Sequence, residues 1–156
     1  MSLEKTSKVF AIILITGLYF TPIELHSHSG ATGIVKERMD AMKDIASQLK
    51  AVKALLDSNK QLDHATIREA GIKIRNLANE IQHQFPEGST NHPSEASPLI
   101  WKEWEKFLEL AQSLATAADE LSASSQASKT NSEIKTAFGK IAATCLSCHK
   151  SYRIKR

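Results

Sequence analysis

Two cysteines and a histidine near the end of the chain have the types and spacing of a covalent haem site. Cys145, Cys148 and His149 occur in the order C-x-x-C-H. In this motif each thiol adds to one vinyl group of a haem, and the histidine beside the second thiol becomes an axial ligand of the iron. The spacing therefore predicts one haem c per chain, with His149 on the proximal face.

Three other interpretations of these residues are open. Cys145 and Cys148 are the only cysteines, and they could form a disulfide in an exported chain. With His149 they could supply three of the four ligands of a zinc site, although the other histidines show no partner spacing. A thioredoxin-like redox pair usually follows a strand, and the sequence predicts no strand. The motif favours covalent haem over all three.

The N-terminal segment has the pattern of an export signal. Lys5 and Lys8 precede an apolar run of 12 residues, 9–20, which is shorter than the roughly 20 residues of a membrane-spanning helix. Residues 1–31 are therefore predicted to be a secretory signal, and an uncleaved membrane anchor is the alternative. Export predicts a periplasmic protein that meets a membrane only if this segment is retained.

Length and charge limit the possible partners. A chain of 156 residues suits one domain, and its formal net charge of +3 is too small to predict nucleic-acid binding. Basic residues do gather at the end of the sequence, where they either complement a helix dipole or form a docking patch for an acidic redox partner. These residues are Lys150, Arg153, Lys155 and Arg156.

Four segments after the N-terminal run have the periodicity of amphipathic helices, and none has a sustained strand pattern. Their apolar stripes cover residues 35–56, 67–81, 100–121 and 134–152. Ser97 and Pro98 suit the N-cap and first position of the third helix, and Thr130 and Glu133 have capping-box spacing before the fourth. Short connections between long helices favour antiparallel neighbours. The predicted fold is an all-α, up-down-up-down four-helix bundle over residues 32–156.

This topology brings two residues of the first helix to the end of the bundle that carries the motif. Met42 lies on the apolar stripe at about the depth of His149, so it is predicted to be the second axial ligand, with core packing as the alternative. Met39 competes for this role but lies off the stripe. Arg38 is the only charged residue of the stripe, and it is predicted to pair with the haem propionates or to snorkel to solvent.

These segments resemble one known family. The run Arg38–Met42, together with Cys145–Arg153 near the C-terminus, is similar to class II c-type cytochromes, the cytochrome c prime family. The resemblance covers about residues 34–156. It implies a four-helix bundle with covalent haem, a propionate contact from Arg38 and a basic residue, Arg153, beside the proximal histidine. It also implies that homodimers can form through the first two helices.

The same resemblance implies two functional branches. In low-spin members a methionine at the distal position ligates the iron, and Met42 occupies that position. This predicts a periplasmic electron carrier that exchanges electrons with redox partner proteins and catalyses no reaction on a substrate. In high-spin members an apolar residue leaves the iron five-coordinate. The alternative is therefore a haem protein that binds nitric oxide or carbon monoxide.

Overall fold

The computed structural model describes residues 30–58, 61–125 and 130–154. Four long helices run through these residues, with one helical turn inserted before the third. They are α1 (Gly33–Asp57), α2 (His64–Glu80), the short α3 (Leu99–Lys102), α4 (Trp104–Ser124) and α5 (Asn131–Tyr152). Apart from residues 30 and 31, the predicted signal segment lies outside the described residues, as do Lys155 and Arg156 of the basic cluster.

The long helices form the predicted four-helix bundle. Helix α4 packs extensively against α2 and α5, and α1 packs against α2, whereas α1 and α5 touch only slightly. Within the described residues there is no strand, only an isolated bridge between Ala96 and Arg153. None of the described helices is long and apolar enough to cross a membrane. The predicted all-α class and bundle architecture are confirmed.

One end of the bundle, here the turn end, contains the short α1–α2 and α4–α5 connections. Its fully buried side chains include Val52, Ile67, Leu121 and Ile134. Burying a side chain of this size stabilises the folded state by about 1.5–3 kcal/mol. Helices α2 and α4 approach closely beside it, because a Cβ atom added to Gly71 would lie 2.8 Å from the backbone oxygen of Ala118.

Helix caps at the turn end follow the sequence signals. The Thr130 hydroxyl accepts from the Glu133 amide at 3.3 Å, and the Glu133 carboxylate accepts from the Thr130 amide at 2.8 Å. This is the predicted capping box at the start of α5. At the start of α2 the Asp63 carboxylate accepts from the amide of Thr66 at 3.1 Å. Both helices therefore begin with their first donors satisfied by nearby side chains.

The third predicted helix is interrupted. It begins at Leu99, whose amide donates to the Ser97 hydroxyl at 3.2 Å, so the helix starts one residue later than predicted. Glu103 then leaves the helical conformation, with φ −124° and ψ 40°, and α4 begins at Trp104. The Glu103 carboxylate accepts a hydrogen bond from the Tyr152 hydroxyl at 3.0 Å. The break thus coincides with a tie to α5 that helical periodicity does not show.

Candidate haem site

The other end of the bundle, here the motif end, gathers the start of α1, the loop of residues 85–98, α3 and the end of α5. Hydrogen bonds join these segments across large sequence separations. Arg38 donates to Ser94, and the indole of Trp101 donates to the carbonyl of Phe85 at 3.0 Å. Tyr152 reaches Glu103 as described above. The start of the first helix and the motif therefore share one end of the bundle, as the topology predicts.

Met42 and the two cysteines pack against the core from opposite helices. Met42 of α1 and Cys145 and Cys148 of α5 are all half-buried and all contact the buried core. Met39 is also half-buried, but it is not among the residues that pack against that core. The slight contact between α1 and α5 is suited to a flat group held between them. The arrangement favours Met42 over Met39 as the sulfur that faces such a group.

Both cysteines are free thiols. Burial raises the pKa of Cys145, and burial together with the charge of Cys145 raises the pKa of Cys148 to about 11. Both shifts favour the protonated thiols, which disfavours disulfide exchange because the thiolate is the attacking form. Among residues 30–58, 61–125 and 130–154, no three or more His, Cys, Asp or Glu side chains are grouped to hold a metal ion. The structure gives no support to the zinc interpretation.

His149 lies on the exposed side of α5, one residue beyond Cys148. The pKa of His149 is lowered mainly by partial burial of the imidazole. The positive charge of Arg153 lowers it further, and the charge of Glu95 raises it. A neutral imidazole, which is the form that ligates a metal, is favoured by both lowering effects. Arg153 is close enough to act on the imidazole. Its place beside a proximal histidine stays a prediction.

Arg38 is buried, with 4% of its surface exposed, so it does not snorkel to solvent. Its guanidinium donates to the Ser89 hydroxyl at 3.0 Å, to the Ser89 carbonyl at 2.5 Å and to the Ser94 hydroxyl. It also lies 4.8 Å above the ring of Phe85. Burial lowers its pKa. Each of these partners is neutral.

A covalent haem fits these residues. The two thiols have the spacing of the attachment motif, the imidazole beside them is held toward its neutral form, and the Met42 sulfur lies on α1 at the same end of the bundle. The buried guanidinium has five N–H donors and uses three in the contacts given above, so donors remain for a propionate. A buried cation is costly without a counter-charge, which a propionate would supply. The propionate contact itself stays a prediction.

Sequence reasoning missed the part that the 85–98 loop plays. Its composition predicts an exposed loop over residues 86–97, yet Ser94 within it is only 1% exposed. Its neighbour Glu95 accepts from the side chain of Arg153 at 2.5 Å and from the amide of Ile154 at 2.8 Å. Composition rich in Pro, Gly, Ser and Asn predicts a turn-rich segment but not its contacts. The signal in the sequence was Arg38, a charged residue on an apolar helix stripe, because a buried arginine needs polar partners.

Comparison with known proteins identifies the family. The family model described as Cytochrome C' matches residues 33–153, nearly all of the described chain. This chain belongs to the cytochrome c' family. Cytochrome c-556 of Agrobacterium fabrum (strain C58 / ATCC 33970) is 32% identical over 126 residues, which cover 81% of this chain and 84% of that protein. The family predicted from the two helix segments is confirmed.

Solved structures of cytochrome c' proteins agree with the bundle. The protein from Rhodopseudomonas palustris has a TM-score of 0.72 and 25% identity, covering 81% of this chain and 99% of its own. A nitric oxide complex of a variant from Alcaligenes xylosoxidans has a TM-score of 0.69 and 26% identity, covering 78% of this chain and 94% of its own. Homologues in the cytochrome c' family bind a covalent c-type haem with iron. The predicted cofactor class is thereby confirmed.

Proposed function

We propose that this cytochrome c' family member is an electron carrier whose haem is bound through Cys145 and Cys148 and whose iron is ligated by His149 and Met42. The observation that carries the proposal is the place of Met42. It packs against the core one turn along α1 from the buried Arg38, and so lies at the motif end of the bundle.

Each residue has a distinct task in this proposal. The haem, when bound, supplies an iron that takes up and releases one electron. The polarizable thioether of Met42 favours the ferrous state more than a second histidine would, which raises the reduction potential. His149 supplies a neutral imidazole on the other face. Arg38 places a positive charge at a buried position where it offsets the negative charge of the propionates.

The proposed location is the periplasm, where the family members are found. The apolar N-terminal run would direct export, and a retained run would anchor the chain to the membrane. Redox partner proteins would then dock near the motif, where Lys150 and Arg153 are exposed. A homodimer through the first two helices stays a prediction. The proposal includes no chemical reaction on a substrate.

The second candidate is a five-coordinate haem protein that binds nitric oxide or carbon monoxide. It is favoured by the nitric oxide complex of the Alcaligenes xylosoxidans protein, whose bundle this chain shares. In that case Met42 would only pack against the core, as methionine often does. The two candidates differ in one bond, between the Met42 sulfur and the iron.

Visible and near-infrared spectra of the purified holoprotein test that bond. A low-spin spectrum with the charge-transfer band of methionine-ligated ferric haem, and no response to carbon monoxide, would support the carrier. Met42→Ala should abolish the band and open the iron to carbon monoxide. Met39→Ala is the matched control, because it removes a half-buried sulfur three residues away and should leave the spectrum unchanged. A high-spin wild-type spectrum that shifts with carbon monoxide would instead establish the gas-binding candidate.

A further inference from the structure

The 85–98 loop contacts both helices that carry the proposed axial ligands. On one side, Ser89 and Ser94 accept hydrogen bonds from Arg38, one turn before Met42 in α1. On the other side, Glu95 accepts from Arg153, one turn after His149. Ser94 and Glu95 are consecutive residues. A single peptide unit therefore connects the segment that precedes one ligand with the segment that follows the other.

Ser94 is more buried than Ser89 and Glu95, the other two loop residues that contact the ligand helices. Only 1% of its surface is exposed. Its hydroxyl accepts from Arg38 and from the amide of Ala96 at 3.1 Å, and its own amide donates to the carbonyl of Asn91 at 2.8 Å. Because the hydroxyl is buried, water cannot easily replace it as the partner of the guanidinium. Loss of this one oxygen would leave a charged donor partly unsatisfied.

Direct packing contributes little to the spacing of the two ligand helices, because α1 and α5 touch only slightly. Helix α1 instead packs against α2, and its first turns bury Val35 and Ala41 as well as Arg38. The described hydrogen bonds that tie these turns to the loop are those of Arg38. A bond from a ligand to a metal needs its donor atom placed within about 0.5 Å. Small movements of α1 would therefore weaken a bond made by Met42.

We propose that Ser94 is a positioning residue for the bond between Met42 and the iron. By holding Arg38 it fixes the first turns of α1 relative to the end of α5, and so keeps the Met42 sulfur within reach of the iron. The inference rests on the proposed Met42 ligation and adds to it a residue that touches neither the iron nor the sulfur.

Ser94→Ala in the holoprotein tests the inference. We expect the charge-transfer band of methionine-ligated ferric haem to weaken and the apparent affinity for added imidazole to rise about tenfold. The rise follows because losing a hydrogen bond to a charged group increases the population in which the sixth position is open. Both readouts report the iron–sulfur bond directly, whereas a thermal midpoint would report only general destabilisation.

Ser125→Ala is the matched control. Ser125 is also 1% exposed, and its hydroxyl donates to the carbonyl of Ser122 at 2.7 Å, but it lies at the turn end. Both variants should lower the thermal midpoint, and only Ser94→Ala should change imidazole affinity. Equal imidazole affinities in the two variants, with the methionine band intact in the wild type, would overturn the positioning role and leave the proposed function standing.

Two further outcomes are informative. A wild type without the methionine band would overturn the proposed ligation and this inference with it. If Ser94→Ala fails to fold, Ser89→Ala gives the same test, because it removes one hydroxyl bond to Arg38 while the carbonyl bond stays. We expect a rise in imidazole affinity smaller than tenfold but above that of Ser125→Ala. No rise in Ser89→Ala would then contradict the role of the loop.

Discussion

The two ends of the bundle are stabilised in different ways. At the turn end several core side chains are fully buried, and the helix caps join residues three apart. At the motif end many apolar side chains are only half-buried, and an arginine is buried beside them. The half-buried residues of this end include Met42, Phe85, Trp101, Trp104, Cys145 and Cys148.

The residues that stabilise the fold and the residues proposed to bind the haem therefore lie largely at different ends of the domain. The turn end gains its stability from burial and local caps that need no partner. The motif end brings together polar side chains and half-buried apolar ones, an arrangement that fits the proposed haem site. A buried cation and exposed apolar surface are costly in a protein without a ligand. Changes at the two ends should therefore have different effects on stability and on the spectrum.

Loss of both thiols should give the largest effect. In Cys145→Ala/Cys148→Ala, haem would no longer remain attached after denaturation, and the thermal midpoint should fall by about 10–20 °C, as expected for a tightly bound ligand. Hydrogen exchange should increase at the start of α1 and the end of α5 and change little around Leu121. Ser147→Ala, between the cysteines, is the control. A uniform increase at both ends would show that they are not independent.

Gly71→Ala should destabilise the turn end without altering the haem. Its Cβ would lie 2.8–2.9 Å from backbone atoms of α4, so the two helices must separate at a cost of about 1–3 kcal/mol. Gly139→Ala should instead raise the free energy of unfolding by about 0.5–1 kcal/mol, because alanine favours an exposed helix position more than glycine does. A Cβ at residue 139 would meet nothing within 4 Å. Urea unfolding measures the free energy of unfolding of both variants. A changed visible spectrum in Gly71→Ala would contradict the separation of the two ends.

The smallest effect is expected at the cap of α2. Hydrogen bonds from the hydroxyl and amide of Thr66 hold the pKa of Asp63 below its ordinary value of 3.8. Because the folded pKa is the lower one, this stabilisation is complete above the unfolded pKa and is lost as the pH falls through the folded pKa. In Asp63→Asn the cap remains and the titration disappears. Unfolding free energies measured across acid pH should therefore depend less on pH in the variant, with an unchanged spectrum. Identical pH profiles would exclude this role.

The predictable and unpredictable parts of the structure differ in the range of their contacts. Helix stripes, the Thr130 capping box and the C-x-x-C-H motif depend on residues close in sequence, and the sequence predicted them. The break at Glu103 and the buried Ser94 depend on partners 49 and 56 residues away. Periodicity and composition carry no information about such partners. The end of the bundle at which Met42 lies could still be predicted, because helix topology alone determines it.

The loop contacts also have a consequence for the order of folding. Both hairpins of the bundle, α1–α2 and α4–α5, turn at the end opposite the motif, so their contacts close short stretches of chain. The bonds from Arg38 to Ser94 and from Arg153 to Glu95 close stretches of 56 and 58 residues, and closing longer stretches costs more chain entropy. We expect these contacts to form last. The two thiols would then lie on a formed helix while the motif end is still open, which leaves room for the haem to be attached before the loop closes.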